Sequence, residues 1–565
     1  LAFVENDVET GTRGGPAAAH YAHPVAWDID FPPLSLPQLL ADSAAAVPDA
    51  PLVDFLGRPY SYRQIHEQAH RFAAGLQALG IAPGDRVGLF LPNVPIYPVA
   101  YYGAMIAGAV VVNFSPLYSA EELEQQVEDS GTRLLVTLDV PALLPTAVEV
   151  LEHSSLERLV VSRLARQLPL LKGLALRLLG RSRLSPLPRR PDVFDWADCL
   201  SAAPPRPVAI DPVKDIALLQ YTGGTTGTPK GAMLSHQNLT VNARQVRAID
   251  PDRDNRDMVL GVLPLFHVFA NTCVLNRTVA NHGCIAMLPR FEARQALATI
   301  ARVRPTSLFA VPTMYQALLD HPDVGTTDFS SVRESISGGA PLALPLKARF
   351  EQVTGVRVIE GYGLTESSGV VSVNPLQGEN RAGSIGQPLP ATEVRLLDKE
   401  DPSRDAPHGE PGELVVRGPQ VMGGYWNRPD AAASAFTADG WLRTGDIAMF
   451  DPDGFIRIVD RTKDMITVGG FKVFPSRIEA VLLDHPSVKE ALVIGVPDSY
   501  LGERPRGYVS LKDGAEPVTG AQLLAWLAPH VGKHERLDEV VIRAALPKTM
   551  IGKLDRKALR AEVLG

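Results

Sequence analysis

Cysteine is scarce in this chain: 565 residues contain only Cys199, Cys273 and Cys284, scattered and without any C-x-x-C spacing. That excludes a disulfide scaffold and a cysteine-rich zinc site, and it suits a reducing cytoplasm. Positive charge is also short. Against 63 aspartates and glutamates stand 55 lysines and arginines, a formal net charge of −8, which argues against general nucleic-acid binding. No run reaches the ~18 uninterrupted apolar residues of a membrane-spanning helix. No basic n-region followed by an apolar h-region opens the chain, so no secretory signal is expected. Because the chain opens on Leu1, a few native residues are expected to precede it. Internal repeats and low-complexity tracts are missing as well. What remains is an ordinary globular composition, 45% hydrophobic and 21% charged, too long for one core, so two or more domains are expected.

The densest chemistry lies in Tyr221–Gly231, Tyr-Thr-Gly-Gly-Thr-Thr-Gly-Thr-Pro-Lys-Gly, directly after the apolar run Ile216–Leu219. This predicts a buried strand opening into a hydroxyl-rich loop. Glycines let backbone N–H groups converge on an anion, and threonine hydroxyls and the Lys230 ammonium add donors, so a polyphosphate is the expected guest. It is not a Walker A loop, since Pro229 stands where that motif needs glycine. Taken alone, the stretch reads equally well as a surface turn.

Upstream, Ile65, Ala69, Phe72, Ala73, Leu76 and Leu79 have helical spacing, and Val87–Leu91 follows as a buried strand. Pro95–Ala107 is a second helix and Ala109–Phe114 the next strand; Ser119 and Glu122 form a capping-box pair that starts a third helix. Leu134–Thr137 is another strand. This alternation predicts a mostly parallel α/β sheet. Residues 1–35 read as a loose leader. From Arg158 to Arg190 the chain carries nine arginines and lysines and no acidic residue, with leucines at 164, 168, 170, 171, 174, 176, 178 and 179. Such a segment could rest on an anionic membrane face. The alternative, slightly favoured because Pro169 and Gly173 interrupt any helix, is a surface insertion with its leucines against the body.

Further strands end in small residues: Phe309–Pro312, Ile336–Pro341, and Val356–Ile359 leading into Glu360-Gly361-Tyr362-Gly363-Leu364-Thr365-Glu366. Several such ends on one sheet are what a nucleotide crevice requires. His267, between Phe266 and Val268, reads alone as a satisfied core residue. Past residue 380 the units become hairpin-like, a β-rich subdomain. From about residue 461 an α+β stretch forms a small separate domain, with Ser476 and Glu479 at capping-box spacing and 547–557 as a basic loop.

Together these stretches resemble the adenylate-forming enzymes: acyl-CoA synthetases, aryl-CoA ligases, firefly luciferases and non-ribosomal peptide adenylation domains. The matching stretches are Tyr221–Gly231, Gly361–Glu366, Gly440–Asp446, Asp460–Gly470 and Pro547–Arg556, in the family's order and spacing. Within the family they look most like bacterial long-chain fatty acyl-CoA synthetases. The resemblance implies a large ATP- and acyl-binding N-terminal domain, 1–460, of stacked α/β sheets with a β-rich subdomain, and a mobile α+β domain, 461–565. The substrates implied are a fatty acid, ATP and CoA, with Mg2+ as cofactor, in the cytoplasm, with peripheral contact at the inner membrane face and a homodimer left open.

The residue roles follow from the same resemblance. Lys553 would reach the carboxylate and α-phosphate oxygens, Thr365 would sit by the α-phosphate, and Glu366 with Thr225 would hold Mg2+. Thr222, Gly223, Gly224, Thr225, Thr226, Gly227 and Lys230 would cradle the phosphates. Gly339, Ala340, Pro341 and Tyr362 would line the adenine, with Gly361 and Gly363 also in the nucleotide site, and Asp446 and Arg461 would touch the ribose, although a turn-capping aspartate is the frequent alternative for Asp446. Lys463 falls at the family's hinge. Gly469 and Gly470 would admit pantetheine, with His267 and Gly338 by the acyl group. His267 stands near where amino-acid-activating relatives place an aspartate, which favours an apolar acid. No carrier domain follows residue 565, which is set against a peptide-synthetase module. Aryl- and medium-chain acids, and transfer of acyl-AMP to a carrier protein, are the alternatives.

Overall fold

The computed structural model describes residues 21–222, 229–398, 400–407, 409–461, 464–468, 471–498, 500–532, 535–549 and 553–564. Two large sheets dominate the first 390 residues. In one, the strands run Val193–Asp195, Arg158–Ser162, Thr132–Leu138, Arg86–Leu89, Val110–Asn113, Ile216–Thr222 and Lys230–Ser235, parallel except for the last pair. In the other, a central parallel set, Cys284–Met287, Met258–Gly261, Ser307–Ala310, Glu334–Ser337 and Ile359–Tyr362, is flanked by antiparallel edges. These strands are apolar on both faces because helices cover them. A single core joins the two sheets, with Phe72, Tyr97, Phe114, Leu135, Leu219 and Phe309 all fully buried within it.

The helices begin where the side chains say they should. Ser61 and Gln64 form a reciprocal cap on Tyr62–Ala78, and Ser119 and Glu122 do the same on Ala120–Ser130. At residue 476 the expectation fails. The helix there, Pro475–Leu483, starts two residues earlier, on proline with Phe474 at the cap position, and Glu479 turns away to accept from Val493 N and to pair with Arg556. The distant ion pair outcompetes the local cap.

Residues 21–35 are not loose. Tyr21 Oη donates to Pro388 O, Trp27 Nε1 to Thr392 O, and Ala22 N to the Gln387 side chain, so this segment is fastened to the edge strand Gln387–Pro388 and the turn after it, more than 350 positions away. The basic leucine-rich stretch also departs from the favoured expectation: Pro169 caps a helix, Leu170–Leu179, that continues through Gly173. Proline is tolerated at a helix start, where its missing N–H is not needed.

The β-rich part is a four-stranded antiparallel sheet, Glu393–Leu397, Gly412–Arg417, Leu442–Phe450 and Ile456–Arg461. Beyond it, Ile466, Val473, Ile478, Leu482, Val493, Val509 and Leu527 form a separate core around a small sheet whose longest strands are Val488–Asp498 and Gly502–Leu511. The 547–557 region is a loop only in part: Lys548 and Leu554 form an antiparallel bridge, and a helix, Arg556–Leu564, follows.

One buried ionic cluster ties the large sheet together. Arg277, with 0% of its side chain exposed, lies 2.9 Å from Asp250, 3.0 Å from Asp257 and 2.7 Å from Glu334. Those three carboxylates lie close enough to one another to hold a cation, and the guanidinium is that cation. The cluster joins the helical segment that follows His267 to the start of Met258–Gly261 and to Glu334–Ser337.

Candidate active site

The strands Met258–Gly261, Ser307–Ala310, Glu334–Ser337 and Ile359–Tyr362 all end on the same side of the sheet, and their following residues form a crevice rim. The rim gathers Leu263–His267, Val311–Pro312, Gly338–Pro341 and Gly363–Glu366. The Thr/Gly-rich stretch arrives from the other sheet: Ile216–Thr222 and Lys230–Ser235 are antiparallel partners, with Thr222 opposite Lys230. The expected strand-then-loop is therefore a hairpin, and Thr222 and Lys230 are its two posts. Its tip residues Gly223, Gly224, Thr225, Thr226 and Gly227 lie outside the described residues, as do Lys463, Gly469 and Gly470.

Glu366 sits in the short helical turn Thr365–Ser367. Its Oε1 accepts from Tyr425 Oη at 2.7 Å, and the ring of Tyr425 lies 5.3 Å from Lys230 Nζ. Tyr425 thus links the hairpin lysine to the acidic residue. The motif comparison missed it, although the Gly423-Gly424-Tyr425-Trp426 run was available as a signal.

Asp446 is not a turn cap. It lies within Leu442–Phe450, opposite Arg461 in the neighbouring strand, with Arg461 Nε 3.2 Å from its Oδ1. Its Oδ2 accepts from Tyr362 Oη. Burial and the Asp446 carboxylate hold the Tyr362 hydroxyl far above its usual range, so it stays a donor. Tyr362 therefore fixes the carboxylate assigned to the ribose. Gly339 adopts φ +80°, and a methyl built on it would lie 3.3 Å from Lys553 Cε and 3.7 Å from Nζ. Ala340 and the exposed Pro341 continue that turn.

Lys553, from the far end of the chain, therefore stands over the rim. Burial, then the nearby Arg461 charge, lowers its ammonium to about 8, with Asp446 opposing. The loop bearing it is closed by its own atoms: Thr549 N donates to Lys553 O at 2.7 Å, and Lys553 N to Thr549 Oγ1 at 3.2 Å. Just beyond, Arg556 pairs with Asp464 and Glu479, at 2.6 and 2.5 Å. His267 caps the next helical turn through Nδ1, accepting from Phe269 N. Burial and then the Lys553 charge depress its imidazole to about 4, so it is neutral at physiological pH. The ring of Phe269 packs on Gly338, where a methyl would meet Cζ at 3.0 Å.

A lysine presented by a small terminal unit over a glycine-lined crevice, beside a fixed carboxylate and a Thr/Gly-rich hairpin, defines the adenylate-forming class. The chain belongs to the AMP-binding enzyme family, whose model matches residues 40–426, and residues 477–553 match the AMP-binding enzyme C-terminal domain. It is 38% identical to the long-chain-fatty-acid–CoA ligase of Bacillus subtilis, covering 97% of this chain and 98% of that one. With the enzyme of the same name in Salmonella typhimurium it shares 39%, covering 94% and 95%. Among solved structures, ATP-bound MatB from Rhodopseudomonas palustris superposes with TM-score 0.81 at 29% identity, covering 94% of this chain and 99% of that one. The apo form of MatB gives 0.72 at 29%, with the same coverage.

Proposed function

We propose that the chain joins a long-chain fatty acid to CoA in two steps at this one crevice. A carboxylate oxygen attacks the α-phosphorus of ATP, pyrophosphate leaves, and acyl-AMP forms. The CoA thiol then attacks the acyl carbonyl; the bond to AMP breaks, and the thiol proton is lost to solvent or a base. Charge builds on the phosphoryl oxygens in the first step, so positioning and fixed charge supply most of the acceleration.

The observation that carries this reading is Lys553 at Gly339, with Asp446 held by Tyr362 and Arg461 close by. Lys553 would neutralise the carboxylate and α-phosphate as they meet, with Thr365 beside them. Asp446 and Arg461 would take the ribose hydroxyls, Gly339–Pro341 and Gly361–Gly363 would receive the adenine, and Thr222, Lys230 and the hairpin between them the phosphates. Glu366 offers a hard carboxylate next to those phosphates, the donor type Mg2+ takes, and a bound Mg2+ would neutralise phosphate charge there. Neutral His267 and apolar Phe269 leave no counter-charge for an α-amino group, which suits an apolar acid. The better superposition on the ATP-bound than on the apo neighbour supports the adenylation posture. Residues 461–565 would then turn about Lys463, withdrawing Lys553 and presenting Gly469 and Gly470 to pantetheine.

The test is pyrophosphate release, and then CoA-thioester formation, with acids of graded chain length plus aryl acids. Long-chain acids are expected to be preferred, and Lys553→Ala is expected to lose on the order of 100-fold or more in pyrophosphate release while still binding ATP. Turnover confined to aryl acids, loading of a carrier protein without CoA-thioester formation, or normal turnover by Lys553→Ala would overturn the proposal.

A further inference from the structure

The helix Tyr62–Ala78 carries the run His66-Glu67-Gln68-Ala69-His70, the H-E-x-x-H spacing that sets two imidazoles on one face, a turn apart. Here they meet: the His66 and His70 rings lie 4.3 Å apart between centroids, tilted by 49°. Both are half-buried, beside the face that sinks Ile65, Ala69, Phe72 and Leu76 into the core. The helix beneath them is rigidly held. Its start is closed by the Ser61–Gln64 cap, and Ile96–Ile106 lies so close that a methyl on Gly103 would come within 2.9 Å of Ala69 O.

The pair differs from other histidines in how its nitrogens are used. His236, His267, His321 and His485 each spend the Nδ1 lone pair on a backbone N–H, those of Leu36, Phe269, Asp323 and Ser487. His70 does the reverse. Its Nδ1 lies 3.0 Å from His66 O, and a carbonyl oxygen only accepts, so Nδ1 carries the proton and the neutral ring keeps its lone pair on Nε2. A carbonyl taking the other N–H is how metal-ligating histidines are commonly oriented. No hydrogen bond among the described residues takes up either ring nitrogen of His66. With metal–nitrogen bonds of about 2.0–2.1 Å, one ion can therefore accept a nitrogen from each ring.

We propose that His66 and His70 form a two-imidazole site for a late first-row dication: Cu2+, Ni2+ or Zn2+. The exposed Glu67 follows His66 directly and adds negative charge there. Among the described residues no third His, Cys, Asp or Glu side chain closes around the pair, so water or an incoming ligand takes the remaining positions. That makes the site open and exchangeable, unlike a closed structural zinc centre, and sets it apart from the H-E-x-x-H hydrolases, which need a third ligand. Imidazole suits these ions and not Mg2+, which takes oxygen, so the site is independent of Glu366 and of the ligase chemistry.

The test is equilibrium dialysis of the metal-free whole chain against Cu2+ and, separately, Zn2+, each with Mg2+ in large excess, followed by electron paramagnetic resonance of the Cu2+ complex. The chain has 13 histidines, so the site is read as the difference between the wild type and its variants. The wild type is expected to bind Cu2+ more tightly than Zn2+, with nitrogen hyperfine splitting in the Cu2+ spectrum. His66→Gln and His70→Gln are each expected to weaken the tightest equivalent about tenfold or more while releasing pyrophosphate at the wild-type rate. Zn2+ is also expected to raise the wild-type Tm, a gain that both variants lose. Wild-type affinity in the variants, no nitrogen splitting, or displacement of the ion by Mg2+ would overturn the proposal. So would half an equivalent per chain with metal-dependent dimerisation, since the ion would then be shared between copies.

Discussion

At the residue scale, the proposed chemistry depends on a lysine whose charge is marginal. Burial, and after it the Arg461 charge, cost Lys553 affinity for its proton, which lowers its ammonium to about 8. Because in the proposed reaction the protonated form would oppose phosphoryl charge, kcat/KM for pyrophosphate release is expected to be level below that pH and to fall as pH rises through about 8. In Lys553→Arg, the activity that remains is expected to lack this alkaline fall, because a guanidinium keeps its proton there. A pH profile of both enzymes checks it; an unchanged alkaline limb in the arginine variant would assign the titration elsewhere. Lys553 was legible from its motif, whereas its depressed ammonium was not. Arg461 and Asp446, which act on it, lie about 90 positions or more away in the chain.

Between elements, the link that stands out is Arg556. Its guanidinium spans Asp464, next to the assigned hinge, and Glu479 in Pro475–Leu483, while its backbone begins the helix after the Lys553 loop. It can hold that loop in register with the small unit as one body. Arg556 is a positioning residue, so Arg556→Ala is expected to lower kcat for pyrophosphate release by about tenfold or more with little change in KM for ATP. Arg556→Lys is expected to recover only part, since one ammonium cannot span two carboxylates as the fork does. Measuring both half-reactions checks it; a loss confined to ATP KM would contradict the role. The resemblance included Arg556 in a matching stretch, but only the folded small unit brings Asp464 and Glu479 to it. The same competition explains why Glu479 abandons the cap that Ser476 seemed to offer.

For the molecule as a whole, the Arg277 cluster carries the largest single risk. Removing the cation leaves Asp250, Asp257 and Glu334 buried together, with Arg333 on Asp257 as the counter-charge that stays. Arg277→Met is therefore expected to cost about 3–5 kcal/mol of stability, read by chemical denaturation. A loss below about 1 kcal/mol would mean that the carboxylates take up protons at little cost. The cluster braces the segment that begins at His267, so the variant is also expected to unfold at lower temperature without a selective loss in one half-reaction. Nothing local announced it: Arg277 looks like any arginine in a helical stretch until carboxylates 20 to 57 positions away close around it.

The sequence by itself determined the alternation of helices and strands, the caps at Ser61 and Ser119, the glycine-rich strand ends and the motifs that place the chain in its family. Those features are written in neighbouring residues, where spacing, φ preference and side-chain-to-backbone bonds act over a few positions. Tertiary structure alone decided that Asp446 lies mid-strand opposite Arg461, that Tyr425 touches Glu366, that residues 21–35 are fastened down and that Leu170, Leu171, Leu174, Leu178 and Leu179 face outward. Each of these depends on which distant surfaces remain after the core has closed, and burial, charge pairing and strand register settle that together.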